Sequence, residues 1–354
     1  MQAVVCHNFG PLESLRIEAL PQPVPGAGEV LVEVHAAGLN FHDVLAVEGR
    51  SQLQRKLPIT PGIEAAGIVA GLGPGVTRFK LGERVFGKKT HGTFAEQVVF
   101  AEDELATIPD HMDMTVAATF FNIGSTVLYA LRDRARLSEG EILLVLGAGG
   151  GGGLAAVEIG KALGAKVVAA ASSQEKLALA TAAGADAAVC YPEGPLDLAA
   201  QKAFCHTLLE HAVREGGSQN DIGKINSVTQ DAGYHVILDG VGGTYMEPAM
   251  RALGWEGRYL AYGFAAGMPK IAPGPLLFKN ADMLGIQPTD ERFRLPGRNT
   301  EMLETLFAWY GEGKLQPQVK HYFPLAEAVA ALNLLKNRKA TGRVVLTMPA
   351  YHAG

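Results

Sequence analysis

A run of glycines wedged between a strand and a helix constrains this chain more than any other feature. Leu143-Leu144-Val145-Leu146 leads directly into Gly147-Ala148-Gly149-Gly150-Gly151-Gly152-Gly153, and an apolar stretch begins at Leu154. A flexible linker is not flanked in this way by an apolar strand, Ile142–Leu146, and a helical run, Leu154–Gly164. Glycine is required at such a turn because a side chain would collide with a pyrophosphate approaching the backbone. The helix N-terminus then offers N–H groups and partial positive charge to that pyrophosphate. The run therefore predicts a dinucleotide site with Gly149, Gly150, Gly151, Gly152 and Gly153 against the cofactor.

The rhythm around the glycines agrees. Lys166–Ala171 reads as a strand, Gln174–Ala183 as a helix and Ala187–Cys190 as a strand, and His235–Leu238 and Arg258–Tyr262 follow as strands. Alternation of this kind implies βαβ units and an α/β doubly wound parallel sheet. An insert near 195–232 holds an amphipathic stretch, Leu196–Glu215, and a polar tail, Gly216–Asp231. It reads as surface decoration. Residues 1–122 follow another pattern: Glu29–Ala36, Glu64–Leu72, Gly82–Phe86 and Thr93–Phe100 are short strands between Gly and Pro turns, which implies an all-β unit. Towards the C-terminus, Glu301–Gly311 and Leu325–Asn337 read as helices, and Lys320–Phe323 and Arg343–Thr347 as strands.

Composition excludes several classes of function. With 354 residues, the chain is long enough for about two domains. A net charge of -5 supplies no basic field for nucleic acid or an anionic membrane. Three cysteines, Cys6, Cys190 and Cys205, rule out a four-cysteine zinc lobe. The N-terminus lacks the basic and apolar regions of a signal peptide, so a cytoplasmic protein is expected.

The second strand bears on which dinucleotide is bound. An NAD site usually carries Asp or Glu ~20 residues past the glycines, at the end of that strand. Here the strand ends Val168-Ala169-Ala170-Ala171-Ser172-Ser173. With Ala171 at the acidic position, no carboxylate repels a 2′-phosphate. Ser172 and Ser173 can donate hydrogen bonds, and Lys176 lies within a helical turn. NADPH is the expected cofactor.

Several motifs in order carry a resemblance. They are Ala36-Ala37-Gly38-Leu39-Asn40-Phe41-His42-Asp43, Thr60-Pro61-Gly62-Ile63-Glu64-Ala65-Ala66-Gly67, Gly82-Glu83-Arg84-Val85, the glycine run, Leu238-Asp239-Gly240-Val241-Gly242-Gly243 and Ala340-Thr341-Gly342-Arg343. On these the chain resembles the medium-chain dehydrogenase/reductase superfamily, in its zinc-independent quinone oxidoreductase (zeta-crystallin-like) branch. The resemblance implies a GroES-like β-barrel catalytic domain, residues 1–122 completed by 291–354, and a Rossmann NADP-binding domain, residues 123–290. Asn40 stands where zinc-dependent relatives have a cysteine ligand, and Ile63 where they have a histidine ligand. Neither residue is a credible zinc ligand, so no metal is expected.

The resemblance also implies roles. Asn40 contacts the nicotinamide end and positions the substrate, and Thr126 lies near the nicotinamide-side phosphate. Lys176 and Tyr191 surround the 2′-phosphate, which Arg338 or Lys339 also reaches; Tyr191 reads equally as a core-edge aromatic. Gly263 and Phe264 pass the nicotinamide, and Val241 belongs with the cofactor-side residues. Gly152 stands where the family usually has valine, so Gly152→Val is expected to be tolerated. The tyrosines that quinone reductases of this branch carry after the asparagine motif are missing from Val44–Arg50, and the loop Gln287–Arg294 is a solvated charged loop or a lining of the cleft. The expected activity is zinc-free, NADPH-dependent reduction of a quinone or similar conjugated carbonyl. The alternatives are an enoyl-thioester or 2-alkenal reductase, or a non-catalytic NADPH-binding protein. The apolar segment Asp282–Gln287 and the family's edge pairing imply a homodimer.

Overall fold

The computed structural model describes residues 1–51, 55–216, 233–271, 273–286 and 297–351. They form two compact units, Met1–Asn122 with Pro317–Gly354, and Ile123–Gln316.

In the first unit, β1 (Gln2–Val5) and β2 (Arg16–Ala19) make a small ribbon. The main sheet uses β3 (Glu29–Gly38), β4 (Glu64–Leu72), β5 (Arg84–Lys88), β6 (Gln97–Ala101) and β7 (Leu105–Thr107). Two C-terminal strands, β14 (Val319–Pro324) and β15 (Arg343–Thr347), complete it: β15 runs antiparallel to β3, with Val345 opposite Gly38. Val30, Val32 and Val34 alternate inward from β3 and pack in one core with Val69, Val85, Phe94 and Phe100. The strand expected over Thr93–Phe100 begins only at Gln97. Phe94 instead bonds to Pro61 and Val4 through its backbone, holding its loop to β1 and to the Pro61 loop.

The second unit holds six parallel strands: β8 (Ile142–Leu146), β9 (Lys166–Ala171), β10 (Ala187–Cys190), β11 (Tyr234–Asp239), β12 (Leu253–Ala261) and β13 (Asp282–Gly285). Their spatial order is β10-β9-β8-β11-β12-β13. The chain therefore winds outward from β8 in one direction and from β11 in the other. The carboxyl ends of these two strands form the switch point where such sheets bind ligands. Every residue of β8 is buried, as a central strand covered on both faces must be.

Three sequence expectations change. The helix after the glycines starts at Gly151, not Leu154, so glycines form its first turn. The helix of the insert, Leu198–Gly216, is no decoration: Phe204, Leu208 and Ala212 are buried in the core under the sheet, and Tyr234 donates its hydroxyl hydrogen to the Leu208 carbonyl at 2.9 Å. The tail expected over Gly216–Asp231 lies outside the described residues from 217 onward. Finally, the helix Arg298–Gly311 belongs to the second unit, although 291–354 was expected to complete the first. Met302 and Leu306 are fully buried, and Arg132 and Asp133 pair with Glu301 and Arg298, each at 2.6 Å.

The helix Met114–Leu128 carries the chain from the first unit into the second and continues to Arg134. The stretch is long and apolar enough to cross a membrane, but 72% of its most apolar window is buried inside the protein, as in a core helix.

Candidate functional site

The glycine run turns sharply at the end of β8. Gly147 adopts φ 81°, and the N–H groups of Gly147 and Ala148 donate to the Ala170 carbonyl at 2.9 and 3.0 Å. A β-carbon on Gly153 would lie 2.2 Å from the Gly147 carbonyl oxygen, so only glycine lets the helix close on the turn. Gly150 is different. A β-carbon there would meet only the Gly147 oxygen, at 3.8 Å, so this glycine borders open space. The first bond of the helix runs from Leu154 N–H to the Gly150 carbonyl at 2.9 Å. The N–H groups of Gly151, Gly152 and Gly153 precede it at the helix end. Bare backbone beside open space is what a pyrophosphate needs.

The end of β9 gathers three of the expected residues. Ala171 is buried at the strand end. Ser173 caps the next helix by accepting the Lys176 N–H at 3.3 Å, and Lys176 Nζ reaches Ser172 Oγ at 3.4 Å. Lys176 also lies against the glycine turn, since its Cβ would be 2.3 Å from a β-carbon on Gly149. Two hydroxyls and an ammonium thus meet at the strand end. Tyr191 falls on the core side of its two readings. It is 3% exposed, its ring 4.9 Å from Tyr245 and 5.7 Å from Phe204.

The loop after β11 is held by Asp239, which is buried. Its Oδ1 accepts the N–H groups of Val241 and Gly242 at 2.6 and 3.0 Å, and Tyr259 donates to its Oδ2. Burial raises this carboxyl above its ordinary value. Val241 is buried and packs against Gly147, so its part is to shape the turn. The Asp239 carbonyl also accepts Tyr262 and Gly263 N–H groups, both at 3.0 Å, which fixes the loop leading to the exposed Phe264. At Gly152 the neighbour that a side chain would have to move is the end of Tyr262. A β-carbon at that position would strike Tyr262, at 2.5 Å from Oη and 2.9 Å from Cε1.

In the first unit, Asn40 precedes the helix Phe41–Val47. Both ends of its amide are engaged: Nδ2 donates to Glu64 Oε1 at 2.7 Å, and Oδ1 accepts Asn122 Nδ2 at 3.0 Å. Its backbone N–H donates to Asp43 Oδ2 at 2.7 Å. Asp43 and Glu64 are 1% and 3% exposed. Burial raises each carboxyl to about 7, and the charge of Glu64 adds to the effect on Asp43. Beside them Arg55 donates to His42 Nε2 at 3.2 Å and to the Thr90 carbonyl. Burial, with Arg55 and Lys88 nearby, lowers the His42 pKa. Arg343, also buried, donates to the Thr119 carbonyl.

The sequence reading named Asn40 but not this frame. The three-residue spacing of Asn40 and Asp43 was a usable signal for a capped helix start. The link to Glu64 and Asn122 had none, because it joins a helix cap, a strand and a second helix that are far apart in the chain. Thr126 lies half-buried on Met114–Leu128. Arg338 and Lys339 lie in the first unit, just after the helix Ala328–Lys336. The expected loop Gln287–Arg294 lies outside the described residues.

Two family models match the chain. The family described as Alcohol dehydrogenase GroES-like domain matches residues 26–110, and that described as Zinc-binding dehydrogenase matches residues 194–346. Quinone oxidoreductase-like protein 2 of Bos taurus is 34% identical over 336 residues, covering 94% of this chain and 88% of that protein. The crystal structure of Escherichia coli quinone oxidoreductase complexed with NADPH superposes with a TM-score of 0.82 at 27% identity, covering 98% of this chain and 100% of that one. A mycocerosic acid synthase-like polyketide synthase of Mycobacterium tuberculosis is 30% identical over 353 residues, 98% of this chain but 15% of that protein.

Proposed function

Since the chain belongs to the medium-chain dehydrogenase/reductase superfamily, among its quinone oxidoreductases, we propose that it is an NADPH-dependent reductase of quinones or similar conjugated carbonyls. The observation that carries this reading is the pairing of the open glycine turn with Ser172, Ser173 and Lys176 at the end of β9, where Ala171 occupies the usual acidic position. These residues fit the cofactor. The backbone N–H groups of Gly151–Gly153 hold the pyrophosphate, and Lys176 with the two serines holds the 2′-phosphate. Thr126 serves the nicotinamide-side phosphate, Gly263 and Phe264 flank the nicotinamide, and Arg338 or Lys339 supplies further positive charge to the 2′-phosphate.

When bound, NADPH supplies the hydride. A quinone spreads the arriving charge over a conjugated system, so the protein's task is placement and exclusion of water. Asn40, held by Glu64 and Asn122, is a rigid amide suited to fixing the nicotinamide end. The reaction runs without zinc. Asn40 and Ile63, at the positions of the zinc ligands in zinc-dependent relatives, are not credible ligands of that metal.

A second acceptor class, enoyl thioesters, is supported by the alignment of nearly the whole chain with a stretch of a polyketide synthase. NADPH oxidation by the full chain is measured with 9,10-phenanthrenequinone, 1,4-benzoquinone, a 2-alkenal and crotonyl-CoA. Fastest turnover with the quinones is expected. Turnover of crotonyl-CoA alone would favour the second reading, and NADPH binding without oxidation by any acceptor would mean a non-catalytic binder.

A further inference from the structure

Five glycines in succession exceed what a pyrophosphate requires, and the structure shows what one of them accommodates. Tyr262 follows β12, its backbone tied to the Asp239 carbonyl. From there its ring crosses the ends of β11 and β8. Its Cδ1 is 3.5 Å from the point where a β-carbon on Gly240 would sit. Its Cε1, Cζ and Oη are 2.9, 3.0 and 2.5 Å from the corresponding point on Gly152. Real β-carbons do not approach heavy atoms so closely, so a side chain at 152 requires the Tyr262 ring to move from this position. The hydroxyl consequently lies beside Gly152, the second residue of the helix.

Building on the NADPH reading above, we propose that Tyr262 is a cofactor-positioning residue whose hydroxyl donates a hydrogen bond to the pyrophosphate, and that Gly152 is the vacancy that admits its ring. A phenol is both donor and acceptor, and a bond to a charged phosphate is stronger than one between neutral groups. The ring also spans the switch point from Gly240 to Gly152, so it stiffens the cradle it serves. The pyrophosphate is common to both nicotinamide cofactors. Tyr262 therefore acts on NADPH and NADH alike, unlike a residue that reads the 2′-phosphate.

The test uses the full chain, with dissociation constants from cofactor fluorescence and KM from acceptor assays. Tyr262→Phe keeps the ring and removes the hydroxyl. Affinity for NADPH and NADH should fall by the same factor, about tenfold, with the loss in KM for the cofactor more than in kcat and the melting temperature kept. Gly152→Val should weaken binding by displacing the ring, and adding Tyr262→Ala to it should recover binding to the level of Tyr262→Ala alone. If the parent binds NADPH and Tyr262→Phe binds within twofold of it, the proposal is overturned and the cofactor reading stands. Additive losses in the double variant would overturn the steric pairing. A parent that binds neither cofactor would overturn both readings together.

Discussion

Gly150 and Gly153 are neighbours in one turn and are glycine for opposite reasons. Gly153 has the Gly147 carbonyl where its side chain would be, whereas Gly150 has open space and an extended backbone, φ −87°. Gly150→Val should therefore fold with its melting temperature near that of the parent, yet lose NADPH binding, because the branched side chain stands where the phosphate must come. Binding like the parent's in a fluorescence titration would put the cofactor elsewhere. Lys176 is a second residue whose effect should be selective. One charge-assisted contact is worth about 1.5–3 kcal/mol, or about 10- to 150-fold in affinity. Lys176→Ala should cost NADPH that much and NADH little, and an equal loss for both would show that the lysine does not read the 2′-phosphate. These residues were legible in the sequence because the strand, the glycines and the strand-end serines are contiguous. Gly152 was not, because Tyr262 lies 110 positions along the chain and reaches it only through the order of the sheet.

The start of the helix Phe41–Val47 is an element defined by two buried carboxyls. Burial holds Asp43 and Glu64 at about 7, against ordinary values of 3.8 and 4.5. Between those limits the folded chain binds more protons than the unfolded one, so this contribution to stability is complete below about pH 4 and is lost as pH rises to about 7. Glu64→Gln removes one titration while keeping an acceptor for the Asn40 amide. Its melting temperature relative to the parent should be higher at pH 8 than at pH 5. An identical difference at both values would mean that Glu64 does not titrate in this window. The element existed in the sequence as a motif, but its chemistry did not: neither carboxyl announces its burial, which follows from β3, β4 and Arg343 closing around it. The helix Leu198–Gly216 teaches the same lesson. Its apolar stripe was visible as amphipathicity, but that the stripe meets Tyr234 and the sheet was decided by the crossover from β10 to β11.

At the scale of the whole molecule, the chain leaves the first unit once and returns to it for β14 and β15. The second unit ends its sheet at β13, which pairs with β12 and faces no further strand among the described residues. Met283 and Leu284 are half-buried there. An apolar edge with unpaired backbone tends to find a partner strand, and a homodimer through β13 is the expected state. Light scattering at micromolar concentration should give twice the chain's mass, and Met283→Asp should shift it towards the monomer. A monomeric parent would remove this expectation.

The sequence by itself determined the class of each unit, the place of the glycine turn and the absence of a carboxylate beside Ser172. All of these rest on periodicity, or on residues within a few positions of one another, where local sterics and spacing act without the rest of the chain. Tertiary structure alone decided that the helix Arg298–Gly311 belongs with the second unit, that Tyr191 is core, that Asn40 is locked by Glu64 and Asn122, and that Tyr262 fills the gap at Gly152. Each of these depends on which strands become neighbours, and strand order is set by the burial of whole faces, which no short stretch of the chain encodes.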